Sequence, residues 1–297
     1  MTDEQKIRYN RNSAVQRGWS PSWLGAFDFD GQLIEKIIEF QNEFDLDPDG
    51  LVGPSTFRRL YTQFVSDQIS ESPNVEAKER SFIRYRKKSY PILWSKVVLW
   101  DEPGGLECSS RVSGRRPKYF VNHWDVCLSS RTCAKVLSKR NLGVHFCIDN
   151  DGTIYQLAPM ENICYHAKKH NQKSIGVEIS NAYSLKYQEW YRKNGFGKRP
   201  VITEGHVHGK SLKPFLGFYP HQIQALAALW AAVSCATGIP LKVPNKNNEV
   251  DHYAASGSFE GFVGHYHLTR RKIDPASAID FHQVAEMAIM IKLQMEG

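Results

Sequence analysis

From Pro214 to Leu241 the chain runs without a single Lys, Arg, Asp or Glu. A stretch of that length belongs out of water, in a bilayer or at the centre of a fold. Its own residues decide between the two. Pro220, His221, Gln222, Gln224, Ser234, Thr237 and Gly238 interrupt it, its middle is rich in Ala, and Pro220 and Gly238 suit the start and end of a helix. The segment reads as a helix over about 221–236 buried inside a globular domain.

Around it, short β-rich runs at Tyr119–Trp124, Val144–Asp149, Thr153–Leu157 and Ser174–Ser180 alternate with helical ones, the last near 276–294. That alternation predicts an α/β fold, a mixed β-sheet flanked by helices. Asn150-Asp151-Gly152 is a tight-turn signal, so the two runs that flank it should pair antiparallel. The period of two sets Glu178 opposite Ile175, Val177 and Ile179, and puts His123 on the same face as Tyr119 and Val121.

The front of the chain has another grammar. Leu33, Ile34, Ile37, Ile38 and Phe44 fall at helical spacing, as do Phe57, Leu60, Tyr61, Phe64 and Val65. The turn between them, Asp47 to Thr56, carries Gly50, Gly53 and Pro54. This predicts a small all-α domain over residues 1–65. Residues 66–91 turn polar and read as a linker, and 92–297 form the second domain.

Charge is divided the same way. Of 38 Lys and Arg and 31 Asp and Glu, residues 1–70 carry 7 and 11, and the remainder 31 and 20. The basic part suits polyanions and fits a weak contact with an anionic membrane surface, but no basic helix or RNA-binding aromatic motif accompanies it, so no nucleic-acid partner is expected. The six Cys show no C-x-x-C pair, which points to reduced, buried thiols rather than a disulfide scaffold or zinc ribbon. The opening Met1–Lys6 lacks the apolar core of a secretory signal, so the protein is expected to be made without its own leader. A monomer is expected.

Gly264-His265-Tyr266-His267, followed by Lys272-Ile273-Asp274-Pro275, places several nitrogen and oxygen donors on one loop. A hydrolytic zinc site needs three such ligands and an open position. His123, His265 and Asp274 would supply them. His145 and Cys147 share a strand face, which raises a Cys-His nucleophile, although buried Cys is common for packing reasons alone.

Five pieces in order, Val121–Trp124, Val144–Asp149 with Asp151–Leu157, Tyr165–Ala167, Ser174–Glu178, and Gly264-His265 with Lys272–Pro275, make residues 94–285 resemble the type 2 N-acetylmuramoyl-L-alanine amidases. Residues 18–65, with Ile38–Gln41, Asp49–Thr56 and Leu60, resemble the three-helix peptidoglycan-binding domain of wall hydrolases. The resemblance implies a zinc enzyme that cuts the amide between the muramic acid lactyl group and L-alanine. Carried over by position, it implies His123, His265 and Asp274 as ligands, Glu178 as general base and Lys272 as the cation near the oxyanion. Tyr165, His166 and Asn181 would bind substrate. Two departures stand out: the His265–Asp274 spacing is one residue shorter than in many relatives, which leaves His267 as a competing ligand, and Ala276 occupies the place of the usual glycine after Asp-Pro.

The expected lack of a leader and the domain order resemble a phage endolysin of a Gram-negative host, made in the host cytoplasm and acting on peptidoglycan in the periplasm or cell wall after release. The alternatives are a cytoplasmic wall-recycling amidase and a non-catalytic peptidoglycan recognition protein. The stretch 181–218, rich in Tyr, Lys, Arg and Gly, is expected to wall the substrate groove.

Overall fold

The computed structural model describes residues 1–66, 76–246 and 248–296. Residues 67–75 of the expected linker lie outside the described residues.

Three helices open the chain: α1 (Asp3–Arg17), α2 (Gly31–Glu43) and α3 (Pro54–Val65). The last two bury the apolar stripes read from the sequence, with Leu33, Ile37, Phe57 and Leu60 at their centre. The first attaches by polar groups instead. Asn10 Nδ2 donates to the Gly50 carbonyl at 3.0 Å, Val52 N–H donates to Asn10 Oδ1 at 2.9 Å, and Ser13 Oγ donates to the Val52 carbonyl at 2.6 Å. Those bonds fix the Asp47–Thr56 turn.

Six strands form the central sheet: β1 (Val97–Leu99), β2 (Tyr119–Trp124), β3 (Phe146–Ile148), β4 (Ile154–Gln156), β5 (Ser174–Ile179) and β6 (Gly261–Gly264). Their order is β6-β2-β5-β3-β4-β1, and every neighbouring pair is parallel except β3 with β4. That antiparallel pair closes through Asn150–Gly152, where Gly152 takes φ 80°, a conformation open to glycine. The mixed α/β architecture is therefore the one the alternating runs predict.

The two faces of the sheet are covered differently. Helix α5 (Pro220–Thr237), the uncharged segment, lies against one face, packed by α6 (Phe281–Glu296). Trp230 and the alanines 225, 227, 228, 231 and 232 are at most 1% exposed, which explains the want of charge. No helix among the described residues is long and apolar enough to cross a membrane. The other face carries α4 (Ser130–Lys139) and, beyond it, the N-terminal helices, whose apolar side chains join one continuous cluster with Cys133, Leu137, Cys147 and Tyr155.

Residues 81–91, assigned to the linker by their polarity, instead belong to a hairpin of Ser81–Tyr85 and Lys88–Ile92. Ile83, Tyr85 and Ile92 enter the core beside α5 while the intervening positions face out. This period of two is masked by basic residues such as Arg84, Arg86 and Lys87. The helical unit is also fastened to the rest of the chain rather than merely tethered. Arg59, 1% exposed, donates to the Ala182 carbonyl at 2.8 Å and lies over the rings of Tyr183 and Tyr187 at 4.7 and 5.4 Å. Arg59→Ala strands that carbonyl and opens a cavity, so it should lower unfolding free energy by about 2–4 kcal/mol in a denaturant titration.

Candidate metal centre and active site

Strand register builds the site. Pairing of β2 with β5 sets His123 opposite Glu178, and pairing of β3 with β5 sets Cys147 on Glu178's other side. All three project from the face opposite α5. At the end of β6 the chain turns into a short helix, His265–Leu268, and then loops back to Asp274, whose carbonyl accepts from Tyr266 N–H at 3.1 Å. Asp274 Oδ2 thereby lies 2.9 Å from His123 Nδ1 and 3.0 Å from His265 Nδ1. One donor atom from each residue falls within 4.8 Å of the others.

The loop offers His265, not His267, to this cluster. His267 is fully buried elsewhere: its Nδ1 accepts from Gly264 N–H at 2.8 Å and its Nε2 lies 3.1 Å from the Lys246 carbonyl. Ala276 takes φ 49°, which accounts for glycine being usual at that position.

Electrostatically the cluster suits a cation. Burial, then His265, brings His123 down to about 4, so its ring is neutral near pH 7. Burial works to raise Asp274, yet His265 and His123 hold it well below the usual carboxylate range. Two nitrogens and an ionised oxygen, nearly buried, are the donor set of a hydrolytic zinc site, and the residues present fit that group.

Glu178, which the period of two turns away from Ile175, Val177 and Ile179, is still only 6% exposed, because the face it points from is covered in its turn. Burial pushes its carboxyl well above the ordinary range, Arg58 of α3 pulls it down, Asp125 and Asp274 push it up, and Lys272 pulls it down. Its Oε2 has no hydrogen-bond partner among the described residues. Arg58 is the functional neighbour that sequence reasoning missed, since nothing local to Pro54–Val65 points across the chain to residue 178. Lys272 is partly exposed and lines, with His265, Ala167 and Leu268, a cavity of about 320 Å³.

The three residues read as substrate contacts fare differently. His166 is drawn into the cluster, its Nδ1 3.0 Å from His123 Nε2 and its Nε2 3.2 Å from Ser174 Oγ. Its seat exists because position 176 is glycine: a Cβ there would come within 2.6 Å of the His166 ring. Gly176→Ala should displace the ring and, through His123, weaken metal binding by about 10–100-fold, read by competition with a chelating dye. Tyr165 is 40% exposed, with a side chain free to meet a ligand. Asn181 is corrected from substrate contact to scaffold. It is fully buried, its Nδ2 donates to the Leu216 carbonyl at 2.7 Å and its Oδ1 accepts from Tyr183 N–H at 2.9 Å.

His145 forms no dyad with Cys147. Its Nδ1 accepts from Gly176 N–H at 3.0 Å and its Nε2 faces the Asn162 carbonyl at 3.1 Å. Burial, then Arg115, lowers it to about 3. The unfolded chain therefore takes up this proton first as pH falls below about 6.5, and the stability tied to neutral His145 is lost between that value and about 3. At pH 5 the loss is about 2 kcal/mol. A denaturant midpoint that stays flat from pH 7 to pH 5 would contradict this.

The stretch 181–218 serves two ends. Arg199, 2% exposed, lies between the rings of Tyr191 and Tyr219 at 4.1 and 4.3 Å and donates to the Ser180 carbonyl at 2.9 Å, which makes part of it scaffold. Tyr183, Leu185 and Phe215 line, with Trp124, Ile273 and Phe44 of the helical unit, a second cavity of about 500 Å³. Trp124 and Ile273 are chain neighbours of His123 and Asp274, so this cavity adjoins the His123–His265–Asp274 cluster.

A family model described as N-acetylmuramoyl-L-alanine amidase matches residues 113–277. The chain belongs to that family. Among solved structures it is similar to an endolysin amidase, LysCS, from Clostridium intestinale URNW, at 15% identity over 64% of this chain and 93% of that one, with a TM-score of 0.36. It is also similar to the Ph2119 endolysin of a Thermus scotoductus MAT2119 bacteriophage, at 16% identity over 65% and 99%, with a TM-score of 0.37. A third is the E. coli amidase AmiD in complex with an anhydro-N-acetylmuramic acid peptide, at 20% identity over 59% of each chain, with a TM-score of 0.37. No curated protein matches the sequence.

Proposed function

We propose that the protein is a zinc-dependent peptidoglycan hydrolase that cleaves the amide between N-acetylmuramic acid and L-alanine, and that it serves as a phage endolysin. The observation that carries this reading is the convergence of His123 Nδ1, His265 Nδ1 and Asp274 Oδ2 beside Glu178. His123, His265 and Asp274 would hold the ion. Zinc there would supply Lewis acidity toward the scissile carbonyl and toward water.

The chain's own groups do the rest. Glu178 takes the proton of the attacking water on Oε2, which has no hydrogen-bond partner among the described residues, and returns it to the departing alanine nitrogen, so one carboxyl acts as base and then acid. Burial raises its affinity for protons, which suits the return of the proton to the leaving nitrogen, while Arg58 and Lys272 oppose the rise and favour the ionised base. Lys272, at the cavity edge, balances the charge that grows on the carbonyl oxygen. His166 sets the tautomer of His123. With the proton on His123 Nε2, His166 Nδ1 accepts it, His166 Nε2–H donates to Ser174 Oγ, and that hydroxyl donates to the His170 carbonyl at 2.9 Å.

The basic surface and the aromatic cavity beside Trp124 and Tyr183 favour a peptidoglycan fragment as substrate, sugar against ring and stem-peptide carboxylate against Lys. Residues 1–65 are assigned to wall binding. An endolysin so built clears a suspension of outer-membrane-permeabilised Gram-negative cells and loses that activity on dialysis against chelator, with recovery on adding zinc. Sacculi bound but left intact by the zinc-loaded protein would favour a recognition protein instead.

A further inference from the structure

A second group of metal-type donors lies behind the first. Asp125 and Cys127 follow β2 directly, Cys133 stands in the first half of α4, and Cys147 is the middle residue of β3. One carboxylate oxygen of Asp125 and the sulfurs of Cys127 and Cys133 fall within 4.8 Å of one another. The Cys133 thiol also meets that of Cys147. All four residues are at most 2% exposed.

We propose that Asp125, Cys127, Cys133 and Cys147 form a closed, structural site for a tetrahedral thiophilic divalent ion, zinc foremost. Asp125, Cys127 and Cys133 give three donors within 4.8 Å of one another, and Cys147, against Cys133, is the fourth that completes an S₃O set on a small shift of its side chain; structural zinc takes four ligands, with zinc–sulfur bonds of about 2.3 Å that set neighbouring ligand atoms about 3.8 Å apart. The carboxylate gives an independent sign. Asp125 Oδ1 is occupied, accepting from Cys127 N–H at 2.8 Å and Asn181 N–H at 2.9 Å, whereas Oδ2 is buried with no hydrogen-bond partner among the described residues. A bare carboxylate oxygen in the interior is costly, and a cation shared with thiolates removes that cost.

The backbone is shaped to the same end. Val126, between the two donors, takes φ 58°, a left-handed conformation that β-branched residues seldom adopt. Its carbonyl accepts from Thr62 Oγ1 of α3 at 3.1 Å. An ion at this place ties the end of β2, four residues or fewer from His123, to α4, to β3 and to the loop on which the helical unit rests. Binding replaces thiol protons with the ion, so protons leave to solvent and affinity rises with pH. None of this depends on the catalytic reading.

The test is cobalt substitution of chelator-treated, reduced protein, in the wild type and in H123A, which disables the first cluster and leaves every cysteine in place. The wild type should take up about two ions per chain and H123A about one, with H123A keeping an intense sulfur-to-cobalt band in the near ultraviolet and tetrahedral ligand-field bands in the visible. Cys133→Ser should retain one ion without the sulfur band. If Cys133→Ser fails to fold, H123A decides alone. No sulfur-to-cobalt band in H123A, whether its thiols are found free or paired as disulfides, would overturn the proposal.

Discussion

Glu178→Gln should fold as the wild type does and turn over peptidoglycan about 10²–10⁴-fold more slowly, with KM little changed. The substitution keeps the shape of the side chain between His123 and Cys147 and removes only its capacity to accept a proton. Stability should not fall. The wild-type carboxyl is desolvated and only partly compensated by Arg58 and Lys272, so replacing it with a neutral amide relieves a cost. A fall in rate together with an unchanged or raised denaturant midpoint is the combination that separates a proton carrier from a structural carboxylate. Equal activity of wild type and E178Q would remove Glu178 from the reaction.

Asp274→Asn should have the second large effect, with more than about 100-fold lower metal affinity at the first cluster and a comparable loss of activity. Asp274 supplies the only formal negative charge among His123, His265 and itself, and its Oδ2 is the atom on which both imidazoles converge. An amide of the same shape cannot neutralise a divalent ion. Metal analysis of D274N after dialysis reads the loss directly; retention of activity at ordinary zinc concentrations would show that the ion, if bound, sits elsewhere.

Much of the catalytic unit was legible because its signals are local. The Asn150–Gly152 turn, the period of two that orients His123 and Glu178, and the uncharged run that became α5 each need only a few neighbouring residues. What escaped was set at long range or by polar contacts. Helix α1 has no apolar stripe because Asn10 and Ser13 attach it. The hairpin at 81–92 buries Ile83, Tyr85 and Ile92 among basic residues that read as linker.

Within the site, Asn181 looked like a groove residue because it follows β5, yet its amide is used up on the Leu216 carbonyl and Tyr183 N–H. The choice between His265 and His267 was open on spacing alone and is decided by which ring turns toward Asp274. Arg58 and Arg59 reach the catalytic unit from a helix more than a hundred residues away, and no pattern in Pro54–Val65 announces it. The thiols at 127, 133 and 147 follow no metal-binding spacing in sequence; the sheet and α4 bring them together.

Digestion of purified sacculi by the zinc-loaded protein, followed by mass spectrometry of the soluble fraction, reaches the central claim most directly. The account predicts free stem peptides that begin with an L-alanine amino group, released from glycan strands that keep their length and their lactyl carboxylates. Fragments in which the lactyl–alanine amide is intact and a glycosidic or peptide bond is cut would contradict it.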